Sequence, residues 1–255
     1  MLRRCPVPTD QEGPPPTGRG LRRPPVWSVV VSAAAVVGAL GYGVHQLRAP
    51  ASPSSIRPSG IPADVPTALA SLMGLSPDRT RPAPDFTLVD QNGRSVSLSS
   101  LRGRPVVLEF MDPHCTDICP IISQEFTRAY ADLRGSRPDV AFVAVNVNQY
   151  HNTTADMLAY TQEHGLSAIP TWHFVTGPVP ALRSVWWNYG IYVDAQSPDA
   201  DVVHSSVVFF LDSHGMERYS ASPTDYHTSA GDAYLPAGQI EQWGQGIALV
   251  AKSLS

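Results

Sequence analysis

The sequence has no surplus of positive charge and no internal repeat. It contains 18 lysines and arginines against 22 aspartates and glutamates, so the formal net charge of the 255-residue chain is −4. Domains that bind nucleic acid carry a surplus of basic residues, often clustered on one face. The charge balance therefore argues against nucleic acid as a partner, and the length allows one substantial domain with additional segments.

Cysteine is also scarce. The chain contains Cys5, Cys115 and Cys119. Cys5 lies in residues 1–25, which are rich in proline, glycine and arginine and lack a periodic apolar pattern. We predict that this segment is a disordered tail and that Cys5 is incidental. Cys115 and Cys119 are therefore the candidate functional pair.

Charged residues are absent from a stretch near the N-terminus. No charged residue occurs between Val26 and Val44, and such a stretch is about long enough to cross a bilayer. Five arginines precede it, whereas only Arg48 and Arg57 follow closely. The positive-inside rule then predicts a cytoplasmic tail at 1–25, a single transmembrane helix at 26–47 and an extracytoplasmic C-terminal domain. A cleaved signal peptide is the alternative, because small residues at 49–51 could form a cleavage site.

The remaining sequence predicts a linker followed by a folded domain. Residues 48–81 are rich in proline and serine, which predicts a semi-rigid linker with a short helix within 65–75. Residues 82–255 form the predicted domain, an α/β fold with a mixed central sheet and helices on both faces. Asn92-Gly93 predicts an early hairpin turn. The strands are predicted at 105–111, 141–147, 171–175, 203–211 and 216–220, and the helices at 119–134, 154–164, 178–188 and 237–252.

The cysteine pair lies where a predicted strand gives way to a predicted helix. A helix N-terminus favours an anion, so a thiol there is expected to have a lowered pKa. The i,i+4 spacing predicts that both sulfurs share one helix face and either bind one ion or form a reversible disulfide. The spacing has one residue more than a Cys-x-x-Cys redox motif. The lead-in Met111-Asp112-Pro113-His114 does not fit a peroxidase.

A third ligand could come from His204. Residues 201–212 read as a buried strand with this histidine near its start. Two thiolates and one imidazole suit monovalent copper, whereas a closed zinc site usually has four ligands. His114 adjoins Cys115 but is expected to point away from it. His173 is predicted to have a structural role.

Three stretches resemble the Sco/SenC family of membrane-anchored, thioredoxin-fold copper proteins. They are Cys-Thr-Asp-Ile-Cys-Pro at 115–120, the His-Ser-Ser strand that starts at Val203, and Trp-His-Phe-Val-Thr-Gly at 172–177. The resemblance covers about residues 82–255. It implies a thioredoxin-like fold, with copper as the cofactor in the monovalent and also the divalent state. It also implies that Cys115, Cys119 and His204 are the copper ligands.

The resemblance leaves two functions open. One is a metallochaperone for cytochrome c oxidase assembly, whose partners would be subunit II or another extracytoplasmic copper protein and a thiol reductant. The other is an envelope thiol–disulfide oxidoreductase that uses Cys115 and Cys119 as its catalytic redox pair. Two departures from the family pattern bear on this choice. Thr116 replaces a proline, and residues 146–154 differ from the usual Asp-Pro-x-x-Asp-Thr-like segment.

Overall fold

The computed structural model describes residues 59–135 and 139–255. They belong to one compact unit, Ile56–Ser255. The predicted tail, transmembrane helix and first part of the linker lie in residues 1–58, outside the described residues. None of the helices in the described part of the chain has the length and apolar character needed to cross a bilayer.

A six-stranded mixed sheet forms the centre of the domain. Its strand order is β1-β10-β9-β4-β5-β6. Strands β4, β5 and β6 are parallel, whereas β9 runs antiparallel to β4, and β10 runs antiparallel to both β9 and β1. Three two-stranded pairs, β2–β3, β7–β8 and β11–β12, lie outside it. The strands are β1 Ser76–Pro82, β2 Thr87–Val89, β3 Ser95–Ser97, β4 Val106–Met111, β5 Ala141–Asn146, β6 Trp172–Val175, β7 Val193–Asp194, β8 Val203–His204, β9 Val208–Leu211, β10 Met216–Ala221, β11 Tyr226–His227 and β12 Ala233–Tyr234.

Helices cover both faces of this sheet. The helices α1, α2, α3 and α5 contribute to one buried apolar cluster, and α4 and the β2–β3 hairpin contribute to a second. Every residue of β4 and β5 is buried, as expected for central strands with helices on both sides. The predicted α/β architecture is therefore confirmed. The helices are α1 Thr67–Leu72, α2 Ile118–Leu133, α3 Thr154–Glu163, α4 Val179–Tyr189 and α5 Ala237–Lys252.

The folded domain begins earlier than the sequence predicts. Within the supposed linker, α1 packs against the core through Leu69 and Ala70, and β1 forms the edge of the main sheet by pairing with β10. α1 confirms the short helix predicted within 65–75, but the linker prediction is wrong for residues 59–81, because α1 and β1 belong to the folded domain. Proline-rich composition concealed this, because β1 begins and ends close to prolines, which edge strands tolerate.

The strand predicted at 203–211 is divided in two. Val203 and His204 pair with β7, whereas β9 begins only at Val208 and lies in the main sheet. Residues 205–207 form the connection between them. The apolar run at 207–211 could not reveal this division, because the sequence pattern does not distinguish one strand from two strands joined by a bend.

Candidate metal centre

The loop after β4 is shaped by Asp112. Its Oδ1 accepts hydrogen bonds from the His114 amide at 2.9 Å and from Asn148 Nδ2 at 3.0 Å, and its carbonyl accepts one from the Cys115 amide at 3.2 Å. Asn148 follows β5, the neighbouring parallel strand. The side chain of Asp112 thus holds the cysteine loop against the end of the adjacent strand.

Helix α2 begins after Cys115, not at it. Asp117 is its N-cap, and the carboxylate accepts a hydrogen bond from the Ile118 amide at 2.6 Å. Cys119 lies in the first turn, whereas Cys115 lies in the preceding loop. The prediction that both sulfurs share one helix face is therefore wrong. The Asp117 cap sets the start of the helix at Ile118, so Cys115 stays in the loop shaped by Asp112.

The two thiols are nevertheless in close contact, and both are free. The Cys119 amide donates a hydrogen bond to Cys115 Sγ at 3.3 Å, and the Cys115 thiol donates one to Asp117 Oδ1 at 2.9 Å. The sulfur of Cys115 therefore accepts a hydrogen bond from one of the amide N–H groups left unpaired at the start of the helix. Cys115 is half-buried and Cys119 is fully buried.

The charge environment of the pair differs from the sequence prediction. Burial raises the pKa of Cys119 well above its ordinary value, and the hydrogen bond with Cys115 raises it further. The expected lowering by the helix terminus is therefore outweighed at this thiol. Partial desolvation favours the neutral form of Asp117, but hydrogen bonds from Cys115 and Ile118 lower its pKa overall.

His204 lies in β8, opposite Val193 of β7, and is half-buried. Its Nδ1 is 2.9 Å from the carbonyl oxygen of Ser205. A carbonyl oxygen can only accept a hydrogen bond, so Nδ1 carries the proton and Nε2 keeps its lone pair. Burial lowers the pKa of the ring, although the Ser205 bond opposes this. His204 therefore has the neutral form and the free nitrogen that a metal ligand needs.

The topology brings His204 to the same end of the sheet as the cysteines. Because β9 is antiparallel to β4, the residues before Val208 lie beside the carboxyl end of β4. Asp112 and Asp117 are near enough to the His204 ring to act on its pKa. However, the donor atoms of Cys115, Cys119 and His204 do not all lie within 4.8 Å of one another.

Two buried carboxyl groups lie beneath this region, and neither was among the site residues predicted from the sequence. Burial raises the pKa of Glu109 in β4 to about 8. Its Oε1 accepts hydrogen bonds from Ser206 Oγ at 3.3 Å and the Val207 amide at 3.2 Å. Burial, and then the charge of Glu109, raise the pKa of Glu125 in α2. The sequence did contain one signal for Glu109, since it is the single charged residue in the otherwise apolar strand β4.

The other histidines are distributed as follows. His173 Nδ1 lies 3.2 Å from the buried Asp90 carboxylate, which confirms its structural role. His214 is exposed in the β9–β10 hairpin. His114 is exposed and stacks on His151, with ring centroids 3.7 Å apart. The stacked pair could not be anticipated from the sequence, because the two residues lie in different loops.

The fold and the site define an α/β protein that carries a dithiol and a neutral imidazole at one end of its sheet. A family model described as SCO1/SenC matches residues 76–230, which is more than half of the chain. The chain therefore belongs to the SCO1/SenC family. This confirms the resemblance carried by the motifs at Cys115 and His204.

Curated relatives agree with this assignment. The chain is 29% identical over 155 residues to the mitochondrial protein SCO2 homolog of Bos taurus, covering 58% of this chain and 54% of the relative. It is 24% identical over 192 residues to an SCO2-like protein of Rickettsia conorii, covering 73% of this chain and 84% of the relative. The match to the bovine protein thus spans about half of that relative's length.

Solved structures support the fold. An SCO1/SenC family lipoprotein from Bacillus anthracis aligns with a TM-score of 0.52 at 19% identity, covering 68% of this chain and 98% of the other. Arabidopsis thaliana ScoI with copper bound aligns with a TM-score of 0.50 at 20% identity, covering 68% of this chain and 99% of the other. At these identities the comparison shows the fold alone, which is mixed α/β and thioredoxin-like.

Proposed function

We propose that this protein is a membrane-anchored, extracytoplasmic copper-binding protein that acts as a metallochaperone in assembly of the copper centre of cytochrome c oxidase. Family membership supports the general activity. The predicted helix at 26–47 and the surrounding arginines support the anchoring and the location. The proposed recipient is subunit II of the oxidase or another extracytoplasmic copper protein.

The observation that carries this proposal is the hydrogen bond between His204 Nδ1 and the Ser205 carbonyl oxygen. This bond occupies the Nδ1–H and leaves the lone pair of Nε2 free to bind a metal. A protein that only exchanges disulfides has no need of such a nitrogen. With the thiolates of Cys115 and Cys119 it would provide a soft donor set, which selects monovalent copper over hard ions.

Binding copper at this site requires two changes in the protein. The buried Cys119 thiol must lose its proton, which its raised pKa opposes, so metal binding is expected to release protons. The donor atoms must also approach one another, since they are not all within 4.8 Å of one another in this structure. The short β7–β8 pair carries His204 outside the main sheet and can supply that movement.

The test is copper loading of the full-length chain, purified in detergent under reducing conditions. We expect one copper per chain in the wild type and no retention by Cys115→Ala. For His204→Ala we expect affinity to fall by more than the roughly 10–100-fold typical of groups that only orient a ligand. His214→Ala, which changes an exposed hairpin residue, is the matched control. Wild-type affinity in His204→Ala would overturn the three-ligand site.

A second function, thiol–disulfide exchange, is favoured by the contact between Cys115 Sγ and the Cys119 amide at 3.3 Å. The more accessible Cys115 thiolate would attack a partner's disulfide, forming a mixed disulfide and releasing one partner thiolate. Cys119 would then displace the second, leaving Cys115–Cys119 oxidised and the partner reduced. The outcome that favours this function is wild-type copper binding by His204→Ala together with a reversible Cys115–Cys119 disulfide in the wild type.

A further inference from the structure

We propose that His114, His151 and Asp156 form a second metal site, separate from the thiol pair, for a divalent transition-metal ion such as Cu²⁺ or Zn²⁺. One potential ligand atom from each of the three residues lies within 4.8 Å of the other two. Across residues 59–135 and 139–255, no other group of three histidine, cysteine or acidic side chains meets this condition.

The parallel strands bring these residues together. His114 follows β4, and His151 follows β5, its parallel neighbour. Asp156 lies in the first turn of α3, five residues beyond His151. Loops after parallel strands meet at one edge of a sheet, where ligands commonly bind in open α/β folds. The rings of His114 and His151 are stacked, with centroids 3.7 Å apart and an interplanar angle of 28°, so the two imidazoles lie side by side.

The surrounding hydrogen bonds prepare two of the three ligands. His151 Nε2 is 3.1 Å from the carbonyl oxygen of Pro198, which can only accept a hydrogen bond. Nε2 therefore carries the proton, and Nδ1 has a free lone pair. A hydrogen bond from the remote ring N–H to a backbone carbonyl is the usual support for a metal-ligating histidine.

Asp156 is held by the capping box of α3. Its Oδ2 accepts hydrogen bonds from the Thr153 amide at 3.0 Å and from Thr153 Oγ1 at 2.7 Å. Both bonds involve the same oxygen and fix the orientation of the carboxylate. Among the hydrogen bonds of the described residues, none involves Oδ1. That oxygen is available to an ion without loss of the cap.

The donor set indicates the class of metal. Two imidazoles and one carboxylate suit divalent zinc and copper, with copper the more tightly bound of the two. Calcium and magnesium prefer oxygen ligands, and monovalent copper prefers the thiols. A cleft of about 590 Å³ is lined in part by two of the three residues, His114 and Asp156, and by Cys115. It leaves room for water as a further ligand, so the site would be open on one side.

The test uses full-length protein in detergent with the triple substitution Cys5→Ser, Cys115→Ser and Cys119→Ser, which removes all three thiols of the chain and prevents them from reducing Cu²⁺. Cu²⁺ and Zn²⁺ are titrated separately by calorimetry, with metal analysis after dialysis. We expect one ion of either kind per chain. In the Cu²⁺ form, electron paramagnetic resonance should show hyperfine coupling to imidazole nitrogen.

Two further variants decide whether the triad is responsible. Each of the added substitutions, His151→Ala and His114→Ala, should weaken metal binding by more than about 100-fold. Loss of a group that only supports a ligand typically weakens metal binding by about 10–100-fold. The matched control is His214→Ala, which changes an exposed hairpin histidine and should leave affinity unchanged. Far-ultraviolet circular dichroism checks that each variant is folded.

Three results would overturn the proposal: no stoichiometric ion in the thiol-free protein, binding that survives both His114→Ala and His151→Ala, or equal loss of binding in His214→Ala. The last two would indicate nonspecific coordination by surface histidines. Because the thiols are absent, these results are independent of the copper-loading test for Cys115, Cys119 and His204. Failure of either site is therefore distinguishable from failure of the other.

Discussion

The Glu109 carboxyl group accepts a hydrogen bond from the amide of Val207, 98 residues further along the chain. Glu109 lies in β4, which leads to the cysteine loop, and Val207 lies three residues after His204. This bond, with that from Ser206 Oγ, connects the two parts of the candidate copper site through the interior. Since burial raises the pKa of Glu109 to about 8, the group is mostly protonated at neutral pH.

The first prediction concerns stability and pH. A carboxyl group with a raised pKa in the folded state stabilises the fold most fully below its ordinary pKa of 4.5, and that contribution is lost as pH rises toward about 8. For Glu109→Gln, which cannot ionise, we expect this loss to be absent. Within that window the free energy of unfolding of the wild type should fall, relative to that of the variant, by up to about 1.4 kcal/mol per pH unit.

Urea unfolding of a fragment starting at residue 59, at several pH values between 4.5 and 8, measures this difference. Glu241→Gln, which changes an exposed glutamate on α5, is the control and should leave the slope close to that of the wild type. If the wild type and Glu109→Gln gave parallel profiles, the carboxyl group would not be taking up a proton on folding.

The second prediction concerns thiol reactivity. Cys115 is half-buried, whereas Cys119 is fully buried and has a raised pKa. Because only the thiolate reacts, iodoacetamide should label Cys115 at least about tenfold faster than Cys119 in the reduced, folded protein. Peptide mass spectrometry measures both rates, and labelling in guanidinium-unfolded protein is the control, where the rates should converge. Equal rates in the folded protein would show that burial does not protect Cys119.

Mild oxidation provides the third prediction, which concerns the same pair. The contact of Cys115 Sγ with the Cys119 amide places the two thiols close enough for us to expect a reversible intramolecular disulfide. Mass spectrometry after oxidation and alkylation should find neither thiol free and no intermolecular bond. Recovery of two free thiols would count against exchange chemistry and leave metal binding as the role of the pair.

The fourth prediction concerns the membrane topology. The arginine imbalance around Val26–Val44 predicts that the C-terminal domain lies outside the cytoplasm. Protease added to intact spheroplasts should therefore digest the domain, while a cytoplasmic marker protein stays intact. An N-terminal tag shows whether the N-terminal segment was still attached to the domain before protease was added. It therefore distinguishes a membrane anchor from a signal peptide that the cell has removed. Full protection of the domain would contradict the predicted orientation.

Much of the fold could be predicted from sequence periodicity. The central strands are continuous apolar runs, and the amphipathic helices between them repeat at helical spacing, so β4, α2, β5 and α3 fall close to their predicted positions. Gly93, with a φ of +75°, occupies the predicted hairpin turn. These features depend on local patterns, which a single sequence records directly.

The candidate site could be predicted only in part. Motifs point to Cys115, Cys119 and His204, but the i,i+4 spacing wrongly predicts one shared helix face, because Cys115 lies in the loop before α2. Glu109 and the stack of His114 on His151 depend on contacts between distant segments. Periodicity carries no information about such contacts, so they emerge only when the sheet order is known.

The last prediction tests the corrected domain boundary. Gly246 in α5 packs against the segment that the sequence predicts as linker. A Cβ at this position would overlap Met73 Sδ and lie 3.2 Å from Leu69 Cγ. Met73 is fully buried, so a shift of its side chain would have to be accommodated within the packed core. For Gly246→Ala we therefore expect destabilisation of roughly 1–3 kcal/mol, the usual effect of overpacking a core.

Gly238 provides the matched control, because it lies in the same helix and an added Cβ there would have no atom within 4 Å. Gly238→Ala should leave stability unchanged or raise it by up to about 1 kcal/mol, since alanine favours the helix. Urea unfolding of both variants in the fragment starting at residue 59 measures the difference. If residues 59–81 were a linker, deleting them would not lower the stability of the domain. The deletion would also remove the clash of Gly246→Ala with Met73, so that Gly246→Ala and Gly238→Ala would be equally stable. We expect instead that the deletion itself destabilises the domain, because it removes β1 from the sheet and exposes the face of α5 that α1 covers.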